Sequence, residues 1–272
     1  MTDPLLTREV HDALLAAAHA GQSTVECSLD LRRSRVAVEL DKGGFAWHRR
    51  RYPFLEACKE RTVYHWTGAS FEPTARYDEA LFKLVPTEWG PPTFEIDGIK
   101  MLPTARISPI DDARRKVALV QPRDRVVLDT CGGLGYFAAC CLDARAAQVL
   151  SFEKHQAVIW LRSLNPWSPA AGGALTLIEG DITVEIAAMP AASVDAILHD
   201  PPRFGIAGEL YSAEFYAELA RVLRRRGRLF HYTGHPNALT SGRDVPREVQ
   251  RRLTDAGFIA GMQEDGVLAT RR

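Results

Sequence analysis

Four acidic residues in this 272-residue chain stand where a predicted β-strand gives way to a loop: Asp129, Glu153, Asp181 and Asp200. A carboxylate at such a place can accept N–H or O–H groups of a polar ligand, or take up a proton. Asp129 closes the predicted strand Arg125–Asp129 and is followed by Thr130-Cys131-Gly132-Gly133-Leu134-Gly135 and a helical run. Three glycines in four positions allow a sharp turn and a close approach of backbone to a ligand. The helix behind them offers free N–H groups at its positive end. Glu153 follows about 20 residues later, the spacing at which an acid meets a ribose diol. Gly133 to Ala138 also reads as a G-x-G-x-x-A dinucleotide fingerprint, and a plain strand-to-helix turn is the bland alternative. Asp129 separates the cofactor classes. Beside a pyrophosphate it would set like charges together, whereas it suits a ligand with an ammonium and a sulfonium and no phosphate.

The sharpest local signal ends the fourth predicted strand, His199-Asp200-Pro201-Pro202-Arg203. Two prolines donate no N–H, and each restricts the residue before it. The carbonyl and carboxylate of Asp200 can then face a substrate N–H or O–H without local competition. Arg203 can bind an anion or stack. Phe204, Tyr211 and His231 fall near the same predicted cleft and are candidate substrate contacts.

These segments resemble class I S-adenosylmethionine-dependent methyltransferases. Leu128 to Gly135 is similar to their motif I, acid-x-Gly-x-Gly-x-Gly, with Cys131 in place of the first glycine. Asp200-Pro201-Pro202 is similar to the motif IV of enzymes that methylate planar amino groups, with Arg203 where an aromatic residue is usual. With Leu164-Asn165-Pro166-Trp167, the stretch Gly208 to Tyr216 and Leu229-Phe230-His231-Tyr232, the chain resembles an uncharacterised predicted methyltransferase family, mainly archaeal and sometimes labelled spermine-synthase-like, over roughly residues 105–260. The resemblance implies S-adenosylmethionine as cofactor. Asp129, Cys131, Gly133, Gly135 and Glu153 would hold it, with Asp181 on the adenine amino group and Ile182 on the ring. It also implies methyl transfer at Asp200, Pro201, Pro202 and Arg203 to an unidentified nucleophile, an amino group favoured. Three alternatives stay open: an aminopropyltransferase of the spermidine/spermine synthase type, in which Asp200 and Glu209 would supply acids; an NAD-dependent oxidoreductase; and a cofactor-binding scaffold without catalysis.

The elements that would position these residues alternate strand and helix from residue 110 onward. Helices are expected at Asp111–Leu119, Gly135–Leu142, 154–164, Ala213–Arg225 and Arg247–Ala256, with strands between and after them. This implies an α/β, Rossmann-like fold, a mostly parallel seven-stranded sheet with helices on both faces. A small β-rich α+β unit is expected to precede it, with the boundary near residue 105: 1–105 as a candidate substrate-recognising unit and 106–272 as the cofactor domain. The first unit should contain a helix at 7–20 capped by Thr7, a short helix near 53–60 and strands near 62–66, 81–85 and 94–100.

Composition narrows the partners. The 34 basic and 34 acidic residues balance, so bulk nucleic-acid binding is not indicated. The runs Arg49-Arg50-Arg51 and Arg224-Arg225-Arg226 read as solvated surface, the second closing a helix, and His11 and His19 as surface residues. Five cysteines without a CxxC pair fit neither a disulfide framework nor a zinc site, so no metal is expected and a reducing, cytoplasmic setting is. No apolar run reaches the roughly 20 residues of a membrane span. The methyl acceptor, whether small molecule, RNA or protein, and the oligomeric state are not legible.

Overall fold

A computed structural model describes residues 3–234 and 244–272. The chain divides into two units, one of residues up to Pro109 with Trp160–Ser168, the other of Ile110–Ile159 with Pro169–Arg272.

The first unit is β-rich. Its helix α1 (Arg8–His19) is capped by Thr7, whose hydroxyl accepts the Val10 N–H. Its strands are β1 (Leu5–Leu6), β2 (Thr24–Cys27), β3 (Val36–Glu39), β4 (Gly44–Trp47), β5 (Arg50–Pro53), β6 (Tyr64–Trp66), β7 (Phe71–Pro73), β8 (Ala75–Asp78), β9 (Ala80–Val85), β10 (Thr93–Ile96) and β11 (Ile99–Lys100). They pair antiparallel as β2-β3, β4-β5, β1-β6-β7 and β11-β10-β9-β8. Leu14, Phe45, Tyr52 and Phe71 lie in one core there. Two expectations need correction. His11 is buried, because α1 turns His11, Leu14 and Ala17 inward at three-residue spacing, and burial pushes its pKa down. No helix forms near 53–60. Pro53 belongs to β5, the Cys58 carbonyl accepts from Arg8, and the Lys59 N–H donates to the Tyr64 hydroxyl. Backbone groups that a helix would pair are thus taken by side chains.

The second unit carries the long sheet. Its elements are α2 (Pro109–Val120), β12 (Val126–Asp129), α3 (Tyr136–Asp143), β13 (Gln148–Glu153), α4 (Gln156–Leu164, shared with the first unit), β14 (Leu175–Glu179), α5 (Ile182–Glu185), β15 (Val194–His199), α6 (Ala213–Val222), β16 (Leu223–Tyr232), α7 (Val245–Asp255), β17 (Phe258–Gln263) and β18 (Gly266–Arg271). The seven strands run in the order β14-β13-β12-β15-β16-β18-β17. Pairing is parallel from β14 to β16, and β18 is antiparallel to both its neighbours. Leu128, Ile197 and Leu229 pack with residues of α5, α6 and α7. Their buried neighbours Val127, Ala196, Leu198 and Phe230 alternate with them and so face the other side of the sheet. Strand order reverses between β12 and β15, the place where open α/β sheets bind ligands beyond their strand ends. Among the described residues no helix is long and apolar enough to cross a membrane.

One boundary differs from the sequence reading. The helix over 213–222 stops at Val222, and Arg224-Arg225-Arg226 begins β16 instead of closing the helix. Leu219 and Leu223 share helical spacing, which made the helix look longer, but Leu223 pairs with Val194 in the sheet. A register shift between Val194 and Ala196 then absorbs the extra residues, with Arg226 at φ +62°. Gly227 makes this turn possible, because a Cβ there would meet Leu223 Cδ1 at 2.6 Å and the Arg224 carbonyl at 2.8 Å.

Candidate active site

At the switch point, parallel register sets the side chains. Asp129 on β12 lies beside Ser151 on β13 and Leu198 on β15. Register neighbours of parallel strands share a face, so the Ser151 hydroxyl donates to Asp129 Oδ2 at 2.8 Å, and Asp129 is buried. The loop beyond is tied to the end of β13. Gly132 N–H donates to the Phe152 carbonyl at 2.6 Å, and Gly133 N–H donates to Glu153 Oε2 at 2.9 Å. Gly133 at φ +49° and Gly135 at φ +81° take left-handed conformations that place the N-terminus of α3 behind the loop. Glu153 Oε1 accepts the His155 N–H at 3.0 Å. The sequence-predicted cluster of Asp129, Gly133, Gly135 and Glu153 therefore comes together, with Cys131 partly buried beside it and packed on the core. Burial raises the Cys131 thiol pKa well above its ordinary value, which keeps it protonated.

Beyond β14, Asp181 caps α5, accepting the Thr183 N–H at 2.9 Å and hydroxyl at 2.7 Å. Burial works to raise its pKa, but these bonds and Lys154 hold it below the ordinary value. Ile182 is turned into the core with Ile186. Lys154, which sequence reasoning passed over, stands 3.8 Å from Asp181 and 3.9 Å from Glu209.

Strand β15 splits its last residues between the two faces. His199 is buried in register with His231 of β16, ring centroids 4.4 Å apart. His199 Nδ1 bonds the Thr130 hydroxyl at 2.7 Å, and Nε2–H donates to the Leu210 carbonyl at 3.0 Å. His231 Nε2 bonds the Tyr216 hydroxyl at 2.8 Å, and Nδ1–H donates to the Tyr232 carbonyl at 2.9 Å. Tyr211, also buried, donates to the Pro202 carbonyl at 2.9 Å and packs edge-on against Phe204. Tyr211 and His231 thus spend their polar atoms on the Asp200–Tyr211 loop and its supports. Arg203 is exposed.

Asp200 points instead toward α2. Its Oδ2 lies 3.4 Å from the ammonium of Lys116, which also pairs with Asp112 at 2.8 Å. Burial pushes the Asp200 pKa up and Lys116 draws it back, leaving it above the ordinary carboxylate value. Neither Lys116 nor Asp112 drew notice in the sequence, where they look like a routine helical i,i+4 pair.

The buried histidines carry a measurable consequence. Burial pushes His199 down to about 4 and His231 well below its ordinary value, so both are neutral in the fold. Unfolded imidazoles protonate near pH 6.5, so the unfolded chain binds more protons as pH falls from about 6.5 to 4. Stability is expected to be full above pH 6.5 and to fall by about 1.4 kcal/mol per pH unit for each histidine below it. Urea denaturation at pH 7, 6 and 5 reads this directly, and equal stability at all three would show that the pair is not held neutral.

No protein-family model matches the chain. An uncharacterized protein of Methanocaldococcus jannaschii is 43% identical over 186 residues, which are 67% of this chain and 63% of that protein. The chain thus spans less than two thirds of that relative's length. A spermidine synthase solved with the transition-state analogue AdoDATO aligns at a TM-score of 0.59 and 15% identity, over 73% of each chain. The fold is the same. Spermidine synthase from Thermotoga maritima aligns at 0.55 and 14%, over 72% of this chain and 71% of its own. An S-adenosylmethionine-dependent methyltransferase from Mesorhizobium loti aligns at 0.46 and 14%, over 60% of this chain and 100% of its own. At 14–15% identity the likeness to the two spermidine synthases is one of architecture, the Rossmann-like sheet with its flanking helices.

Proposed function

We propose that this protein is an S-adenosylmethionine-dependent methyltransferase whose nucleophile, an amino group, is received at Asp200-Pro201-Pro202. The observation that carries the reading is the row of acids at adjacent strand ends, Asp129, Glu153 and Asp181, around a glycine loop near which the described ion pairs place no cation before Lys154. That donor set suits a ligand bearing an ammonium, a sulfonium and a ribose, and would repel a pyrophosphate. Glu153 ends the strand next to that of Asp129 and would accept the ribose hydroxyls there. Asp181 would meet the adenine amino group, whereas Ile182, buried in the core, does not present its side chain to the ring as the sequence suggested. Bound there, the cofactor supplies a methyl group activated on a sulfonium.

The chain's own contribution is position and proton handling. Tyr211 bonds the Pro202 carbonyl and His199 bonds the Leu210 carbonyl, which ties down both ends of the loop after Asp200, beside which the nucleophile would lie. Holding reactants in line supplies much of the acceleration in a direct displacement. The Asp200 carboxylate orients the N–H and accepts its proton. Arg203, exposed at the loop, would hold an anionic part of the substrate.

Aminopropyl transfer is the second reading, favoured by the fold shared with spermidine synthases. Against it, the acids near Asp200 are already met by Lys116 and Arg115, which leaves poor accommodation for a polycationic amine. Incubation of the protein and cell extract with methyl-labelled S-adenosylmethionine, beside an aminopropyl-labelled decarboxylated form, separates the two. Label is expected only from the methyl donor. Label only from the decarboxylated donor would replace methyl with aminopropyl transfer.

A further inference from the structure

Lys116 is a lysine without a surface. It is 1% exposed on α2, where a helical lysine ordinarily reaches solvent. Burying an ammonium costs several kcal/mol unless partners repay it. On its own helix it meets Asp112, one turn earlier, while Arg115 takes the other Asp112 oxygen at 3.0 Å. From the end of β15 it meets Asp200. From β16 the Tyr232 ring lies 3.7 Å from Nζ, and from α3 the Phe137 ring lies at 5.8 Å. Arg115 is drawn aside to Asp265 at 2.7 Å and to Glu264, both in the turn between β17 and β18. The Cys131 thiol, on the loop after β12, stays neutral. Among the described residues, Lys116 is the only cation in ion-pair contact with Asp200.

We propose that Lys116 is a positioning residue for Asp200: by gripping Oδ2 from the buried side it fixes the carboxylate's rotation and charge, leaving Oδ1 to accept the nucleophile's N–H. The role rests on the reading of Asp200 given above. Without Lys116, burial and the nearby carboxylates of Asp112 and Asp265 act on Asp200 unopposed, and it keeps its proton to higher pH. A protonated Asp200 can no longer take the proton of an amine.

The test compares Lys116→Met with Lys116→Arg. In labelled-methyl transfer, the ascending limb of the pH–rate profile should move up by roughly one unit or more in Lys116→Met, about a tenfold loss below the limb. S-adenosylmethionine KM should be unchanged, and Lys116→Arg should restore the limb. In an Asp200→Asn background, Lys116→Met should shift nothing further. Infrared titration gives a readout apart from activity. A protonated-carboxyl band, absent in Asp200→Asn, should persist to higher pH in Lys116→Met than in the parent. Should Lys116→Met not fold, Lys116→Met with Asp112→Asn removes one charge of each sign and should still show the upward shift, since Lys116 acts on Asp200 more strongly than Asp112 does. Parent-like titration of Asp200 in a folded lysine variant would overturn the proposal. If the parent transfers no methyl group, the transferase reading fails by itself, and the infrared titration still decides the role of Lys116.

Discussion

Asp200→Asn is expected to lose methyl transfer by about 100-fold or more, with S-adenosylmethionine affinity nearly unchanged. Asparagine keeps the shape of the side chain beside Lys116 but loses both the charge and the capacity to take a proton. The prolines and the Tyr211 bond to the Pro202 carbonyl still hold the loop, so the defect should lie in kcat and not in folding. Alanine is the harsher change, because it also removes the side-chain oxygen that asparagine still offers to the buried Lys116 ammonium and leaves a void beside it. Arg203→Ala should act differently, raising the KM of an anionic substrate with little change in kcat. Circular dichroism and cofactor titration accompany the rates. Full activity in Asp200→Asn would reduce the Asp-Pro-Pro segment to a structural loop and remove the mechanism.

Glu153→Ala should weaken cofactor binding at least tenfold, about 1.4 kcal/mol. A carboxylate accepting two ribose hydroxyls makes charge-assisted bonds of roughly 1.5–3 kcal/mol each. The same carboxylate holds the Gly133 and His155 N–H groups, so alanine also loosens the loop. Glu153→Gln separates the two effects. Its single oxygen can keep one backbone bond, while the charge that strengthens hydroxyl bonds is gone. A large loss with glutamine, at a thermal stability equal to the parent's, places the effect on the ligand. A loss with alanine alone places it on the loop, and no loss with either takes Glu153 out of the site.

Much of this site was legible because its chemistry is local in sequence. Acids at strand ends, glycines before a helix and Asp200-Pro201-Pro202 each have a meaning set by the backbone next to them. The sheet followed from alternating periodicities. What escaped depended on distant packing. Lys116 and Asp112 spell a surface pair on a helix, and only Tyr232 and Asp200, contributed by other strands, make the lysine a buried one. His199 stood in the motif without a role, because its partners Thr130 and Leu210 come from separate loops. The length of β16 was hidden by Leu223, whose spacing suits a helix as well as a strand. His11 was misread because its polarity was taken for exposure, although it stands three residues before Leu14 on the same face of α1.

The most direct test is calorimetric titration of the wild-type protein with S-adenosylmethionine, its demethylated product and NAD under one set of conditions. The row of strand-end acids predicts micromolar binding of both S-adenosyl ligands and poor binding of NAD. Tight NAD binding with no heat from either S-adenosyl ligand would contradict the account at its root.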